Sequence, residues 1–72
     1  MNVSKNDITQ IKAGKAKAFV CETPKAAKSG QSLVSYVKKF CRNEMPSDVS
    51  DYETSIEDNV LTIIAIKSAD NS

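Results

Sequence analysis

Two cysteines and nine carboxylates are the side chains in this chain that are best suited to chemistry, and histidine is missing altogether. Cys21 and Cys41 lie far apart in the sequence and do not form a Cys-x-x-Cys pair. A zinc site normally needs imidazoles or closely spaced thiolates. A serine or cysteine nucleophile would lack its usual base. We therefore predict no metal, no cofactor and no enzyme activity.

The charges are divided between the two halves of the chain. Residues 1–42 carry nine basic against two acidic side chains, a balance of +7, whereas residues 43–72 carry seven acidic against one basic, a balance of −6. The formal net charge of +1 hides this division. A dipolar molecule of this kind can bind an anionic partner, or a second copy of itself through opposite charges. The acids are typical of a solvated surface rather than of a catalytic pair.

Hydrophobic periodicity and turn residues predict the elements that position these side chains. We expect a short N-terminal helix, a strand, one long helix and two more strands, at residues 7–14, 16–21, 24–42, 52–57 and 60–67. Asp7 suits the cap of the short helix, and Asp58-Asn59 suits a two-residue turn between the last two strands. The fold class is thus α+β: a short helix, then a βαββ unit with a three-stranded mixed sheet of order 1-3-2. The last strand is central and antiparallel to both neighbours, because it is apolar on both faces. We expect one domain over residues 1–72, frayed at 1–5 and 68–72.

The long helix has a defined start and a continuous apolar stripe. Thr23 suits the N-cap and Pro24 the first helical position, where its missing N–H costs nothing. The stripe consists of Ala26, Gly30, Leu33, Val34, Val37, Phe40 and Cys41. Gly30 lies within it, which predicts a close approach of helix to sheet. A continuous helix also separates Cys21 from Cys41 by roughly 25 Å, too far for an intramolecular disulfide.

The two apolar faces of the last strand raise the question of what covers each of them. One long helix covers one face, so the other needs the short N-terminal helix or a second subunit. The candidate self-association residues are Ile8, Ile11, Leu61, Ile63 and Ala65. The predicted core consists of Leu33, Val34, Val37, Ile56, Ile64 and one face of the 61/63/65 set.

Basic residues beside an aromatic ring suggest a second kind of surface. Lys15 and Lys17 share a strand face with Phe19, and single-stranded nucleic acids are bound by rings that stack on bases and ammonium groups that contact phosphates. The candidate nucleic-acid or anion contacts are Lys15, Lys17, Phe19, Lys25, Lys28, Lys39 and Arg42. The alternative is that Phe19 packs in the core and the lysines only keep the domain in solution.

We therefore expect a small, non-catalytic protein-interaction or regulatory module that forms a homodimer and binds an unidentified protein partner. Nucleic-acid binding through the basic N-terminal half is the alternative function. The longest apolar run, residues 60–66, is too short to span a bilayer, and residues 1–10 hold no signal-peptide core. We accordingly expect a cytoplasmic location and no membrane partner.

Overall fold

The computed structural model describes residues 3–68 and has the predicted α+β class. Its helices and strands are α1 (Lys5–Thr9), β1 (Ala16–Val20), α2 (Pro24–Phe40), β2 (Val49–Glu57) and β3 (Val60–Lys67), with one 3-10 turn at Arg42–Glu44. The sheet order β1-β3-β2 confirms the predicted order and the central place of the last strand. Both pairings are antiparallel, which confirms the prediction that the last strand is antiparallel to its two neighbours. The description of the sheet as mixed is wrong, because no two strands of the described sheet pair in parallel.

Helix α2 begins at its predicted start and ends close to its predicted limit. The Thr23 hydroxyl oxygen accepts a hydrogen bond from the backbone N–H of Ala26 at 3.1 Å, and Pro24 is the first helical residue. The helix ends at Phe40 because the backbone of Cys41 leaves the helical region, with φ −124° and ψ 32°. The N-terminal cap signal was therefore sufficient to locate the start, whereas the apolar stripe overestimated the end by two residues.

Gly30 sits where α2 comes closest to the sheet. A Cβ atom at this position would lie 2.7 Å from Cδ2 of Leu61 and 3.2 Å from Cγ2 of Val3. Leu61 is fully buried, with 0% of its surface exposed. The predicted role of Gly30 in a close approach of helix to sheet is thus confirmed, and the approach is to the central strand.

The turn between β2 and β3 also holds the end of β1. Asp58 has φ 57°, the left-handed conformation expected for the predicted turn at Asp58-Asn59. The Asn59 side-chain amide donates to the carbonyl oxygen of Cys21, and the Cys21 N–H donates to the Asn59 carbonyl at 2.8 Å. Strand β2 begins at Val49, earlier than predicted, with a bulge between Val49 and Asp51.

The sequence suggested Asp7 as the cap of helix α1, but the cap is Ser4. The Ser4 hydroxyl accepts a hydrogen bond from the Asp7 N–H at 3.3 Å, while the Asp7 carboxylate accepts one from the Ser4 N–H at 2.9 Å. The Ser4 hydroxyl also donates to the Asp7 carboxylate at 3.0 Å. The bond from the Ser4 N–H and this one from the hydroxyl lower the pKa of Asp7, because they stabilise its charged form. The two residues therefore form a capping box, in which Asp7 is the third helical residue.

The ends of the described chain are held by specific contacts. Val3 is buried against α2, and the Ser68 N–H donates to the carbonyl oxygen of Asp48 at 2.8 Å. The fraying expected at the two ends therefore does not reach Val3 or Ser68. The rest of that expectation, for residues 1–2 and 69–72, lies outside the described residues.

Helix α1 lies on the same side of the sheet as α2. Ile8 and Ile11 are buried in one cluster with Leu61 and Ile63, the β3 residues that α2 covers. Gly14, with φ 78°, turns the chain between α1 and β1, and its N–H donates to the carbonyl oxygen of Ala65 at 2.8 Å. The expectation that Ile8 and Ile11 cover the second face of the sheet is therefore wrong.

The predicted core is correct on the helix and wrong at one strand position. Val34 and Val37 are buried, and Leu33 and Ile56 are half-buried against them. Ile64 is 38% exposed, because its side chain lies on the sheet face opposite α2. The structure thus assigns the odd-numbered β3 residues to the core and the even-numbered ones to the other face.

We expect Gly30→Ala to lower stability, although alanine is the better helix former. The gain in helix propensity is about 1 kcal/mol, and forcing a methyl group against a buried side chain costs about 1–3 kcal/mol. Chemical denaturation should show a net loss of roughly 1 kcal/mol. The control Ser32→Ala, on the exposed side of α2, should be neutral or slightly stabilising. Equal stabilisation by both changes would mean that helix and sheet are further apart.

Tyr52 is the largest fully buried side chain of the core. Its ring packs under α2 with 1% of its surface exposed, and its hydroxyl oxygen has no hydrogen-bond partner among residues 3–68. Burial disfavours the phenolate and raises the pKa of Tyr52 above its ordinary value of 10.0. Stability is therefore independent of this ionisation below pH 10.0 and falls as the pH rises from there through the raised pKa, because the phenolate forms more readily in the unfolded chain.

We expect Tyr52→Phe to leave stability unchanged or to raise it by up to about 1 kcal/mol, since a buried polar group without a partner is removed. Above pH 10.0 the wild type should lose stability more steeply than the variant, as measured by denaturation midpoints over an alkaline series. Tyr36→Phe, on the exposed surface, is the control and should retain the steep alkaline loss. A large destabilisation by Tyr52→Phe would show that the hydroxyl has a partner.

Candidate interaction surfaces

One face of the sheet is covered by no helix of residues 3–68 and is mostly apolar on β1 and β3. The register pairs Ala16 with Ile64, Ala18 with Thr62 and Val20 with Val60 on this side. We call this surface the open face, and its residues are Ala16, Ala18, Val20, Val60, Thr62, Ile64 and Ile66. Val20 is 62% exposed and Ile64 38% exposed, which makes them its most accessible large side chains. The open face is therefore an aliphatic strip in contact with water.

Strand β2 adds a row of acids along one side of the open face. Asp51, Glu53 and Glu57, which we call the acidic row, lie opposite Ile66, Ile64 and Val60 of β3. Among the described residues, Glu53 and Glu57 make no ion pair. The uncovered side of the sheet thus has two parts, an aliphatic strip on β1 and β3 and a negative margin on β2.

Asp51, at the bulged end of β2, is held at the edge of the sheet. Its carboxylate accepts a hydrogen bond from the Tyr52 N–H at 2.8 Å and pairs with the Lys38 ammonium at 3.2 Å. The Tyr52 N–H first, and Lys38 with a smaller contribution, lower the pKa of Asp51. The free negative charge of the acidic row is therefore concentrated at Glu53 and Glu57.

Both edges of the sheet are occupied by cationic side chains. Along β2, Lys38 donates to the carbonyl oxygen of Tyr52 at 3.2 Å and Arg42 to that of Ser50 at 3.4 Å. Along β1, exposed Lys15 and Lys17 flank the outer edge. Lysines and bulges at an edge discourage the addition of another strand. The open face, rather than an edge, is thus the surface that suits an apolar partner.

The predicted self-association residues lie elsewhere. Ile8, Leu61, Ile63 and Ala65 are each 0% exposed and Ile11 is 5% exposed, all within the core of the monomer. They cannot form a surface between two copies, because α1 and α2 already cover them. The β3 residues that reach the open face are the even-numbered ones. The sequence could not tell which of the two apolar faces of β3 would be buried.

The predicted stacking ring, Phe19, is also in the core. It is 2% exposed, and the Lys17 ammonium lies 5.5 Å from the ring centroid at the β1 edge. A base cannot stack on a ring buried beneath a helix. This part of the candidate nucleic-acid site is therefore wrong, and the alternative that Phe19 is a core residue is correct.

The other predicted anion contacts fall into separate groups. Lys25, Lys28 and Lys39 are exposed on the outer side of α2, and we call them the lysine row. Arg42 lies at the β2 edge, and Lys15 and Lys17 lie at the β1 edge, which α2 does not approach closely. The structure therefore divides the six predicted basic residues into three places rather than one patch.

An exposed pair of aromatic rings on α2 was missed by the sequence reasoning. Tyr36 is 52% exposed and Phe40 70% exposed, and their ring centroids are 5.2 Å apart with an interplanar angle of 43°. Phe40 was predicted to belong to the buried stripe, and this is wrong because it lies at the margin of that arc. The spacing of two aromatics four residues apart was the available clue, since such residues are neighbours on a helix.

The remaining chemical groups form no further site. Cys21 and Cys41 are buried free thiols at opposite ends of α2. Within residues 3–68, no group of three potential metal ligands comes together, and no helix is long and apolar enough to cross a membrane. Comparisons with protein-family models, with curated proteins and with solved structures found no match to this chain. The candidate functional features among residues 3–68 are therefore the exposed surfaces.

We expect Phe19→Leu to act on stability and not on binding. The change keeps an apolar side chain in the core and should cost roughly 1 kcal/mol, measured by thermal or chemical denaturation. The matched change Phe40→Leu, at an exposed ring, should leave stability within about 0.5 kcal/mol of the wild type. A larger loss from Phe40→Leu than from Phe19→Leu would contradict the burial of Phe19.

Proposed function

We propose that this chain is a non-catalytic protein-interaction module that self-associates through its open face. The observation that carries the proposal is the aliphatic strip of the open face, in which Val20 is 62% and Ile64 38% exposed. A contiguous apolar surface bordered by charge is typical of protein docking sites. The lack of histidine and the burial of both thiols support the absence of a catalytic step. We place the module in the cytoplasm, where such thiols stay reduced.

The charges favour one arrangement of the two copies. If two open faces pack with a two-fold axis parallel to the strands, the acidic row of each copy lies over β1 of the other, whose residues on this face, Ala16, Ala18 and Val20, are uncharged. If the axis is perpendicular to the strands, each acidic row faces the other, and Glu53 and Glu57 repel their counterparts. Like charges that face each other across an interface are unfavourable, so we propose the first arrangement.

The size of the surface sets the strength of the association. Strand β3 has eight residues, so the sheet is roughly 26 Å long and 14 Å wide at the usual strand rise and spacing. Two such faces would bury on the order of 1,000 Å² in total, the lower end for a specific interface. We therefore expect a reversible dimer with a dissociation constant in the micromolar range or weaker.

The test is sedimentation equilibrium over a wide concentration range. The wild type should pass from monomer to dimer as the concentration rises, whereas Val20→Thr/Ile64→Thr should remain a monomer. Threonine keeps the β-branched shape that suits a strand and removes the apolar contact. A wild type that is monomeric at every concentration would refute the proposal.

A matched control keeps the test specific to the open face. Phe40→Ser removes an apolar side chain of greater exposure from the opposite side of the molecule and should leave the dimer intact. If Phe40→Ser dissociates the dimer and the open-face variant does not, the association uses α2. Circular dichroism of both variants establishes that each is folded.

A further inference from the structure

The outer side of α2 carries aromatic and cationic side chains and no acid. The helix has seventeen residues, PKAAKSGQSLVSYVKKF, among them four lysines, three serines and neither aspartate nor glutamate. Lys38 is engaged at the β2 edge, so the exposed charge belongs to the lysine row. A helical surface of this composition attracts anions and offers rings to them.

The lysine row and the aromatic pair run side by side along the helix. At about 100° per residue, Lys25, Lys28 and Lys39 fall within an arc of about 60°. Tyr36 and Phe40 fall about 20° and about 60° beyond Lys25, the nearer edge of that arc. From Lys25 to Lys39 the row extends roughly 20 Å along the axis. The lysine row therefore runs along the helix, and the two exposed rings lie beside its C-terminal end.

The nearest part of the acidic half does not oppose this surface. Glu44, which follows α2, is paired with the Lys5 ammonium at 2.9 Å. The hydrogen bond to Glu44 raises the pKa of Lys5, so the pair stays ionised and its charges offset each other. The acidic row lies on the opposite side of the sheet. Neither Glu44 nor the acidic row therefore cancels the field of the lysine row.

We propose that the aromatic pair and the lysine row form a binding site for single-stranded nucleic acid. The phosphates follow the lysine row, and bases stack on Tyr36 and Phe40, because every base has a flat face that an exposed ring can cover. Phe40 is 70% exposed and Tyr36 52% exposed, so neither ring contributes to the packing of the core. An acidic peptide would satisfy the lysines and leave the rings without a flat partner, so nucleic acid fits both features. The site lies on the other side of the molecule from the proposed dimer surface.

The test is fluorescence anisotropy with a labelled oligothymidylate, repeated over a series of salt concentrations. With three phosphate contacts, the logarithm of the association constant should fall with that of the salt concentration with a slope of about −2. Tyr36→Ser/Phe40→Ser should weaken binding roughly tenfold or more and leave the slope unchanged. Lys25→Gln/Lys28→Gln/Lys39→Gln should bring the slope towards zero.

Two controls separate this site from the rest of the surface. Lys12→Gln/Lys67→Gln, at exposed lysines outside α2, should reduce affinity far less than the changes in the lysine row. Val20→Thr/Ile64→Thr should abolish the dimer and retain binding of the oligonucleotide, so each proposal can fail without the other. Because all the altered side chains are exposed, each variant should keep the wild-type circular dichroism.

Several results would overturn the proposal. Absence of oligonucleotide binding at low salt would overturn it. An equal loss of affinity from the changes at the control lysines would also overturn it, because it would indicate attraction to the chain as a whole. Binding of a duplex of the same length as tightly as the single strand would show that the rings do not stack on bases. Full competition by polyglutamate at equal charge, with no effect of Tyr36→Ser/Phe40→Ser, would indicate an acidic protein partner.

Discussion

The close contact between α2 and the central strand at Gly30 determines which side of the sheet is buried. Only a residue without a Cβ lets the helix axis come this near, since a methyl group would meet Leu61. Once Leu61 is beneath the helix, the period of two along a strand places Ile63 and Ala65 there as well. All other surfaces of the protein follow from this one choice of face.

The small size of the chain explains why one face remains open. One helix of seventeen residues and one of five residues form the helical layer, and both lie on the same side of the sheet. Covering the second face would need another layer, and the described chain has no further helix or strand to supply it. Val20 and Ile64 are exposed for this reason. An antiparallel sheet can leave one face in contact with water, so this face stays accessible to a partner.

The division of charge in the sequence becomes a division of surfaces in the fold. Within residues 3–68, ion pairs of Lys5 with Glu44 and of Lys38 with Asp51 join the basic and acidic halves at the ends of elements. Such exposed pairs add little to stability, since solvent screens them. The charges of the lysine row lie on α2, whereas those of Glu53 and Glu57 lie beside the open face, on the opposite side of the sheet. The protein can therefore present two surfaces of different chemistry at once.

The residues of the chain by themselves determined the elements and the strand order. Thr23-Pro24 located the start of α2, Asp58-Asn59 located the hairpin, and the apolar faces of β3 identified the central strand. Each of these features depends on residues close in sequence, or on burial demanded at both faces of one strand. Such features can be predicted because the interactions that produce them are made by the residues of the pattern itself.

Only the tertiary structure decided which apolar face α2 covers, and with it the location of both candidate surfaces. Ile63 and Ile64 are chemically equivalent neighbours, and nothing local distinguishes the buried one from the exposed one. The sequence left two environments open for Phe19 and assigned Phe40 to the wrong one, because a ring near the margin of a helical stripe can lie in the core or in water. That outcome depends on the path of α1 and on the distance between helix and sheet, which are set by contacts between residues far apart in the chain.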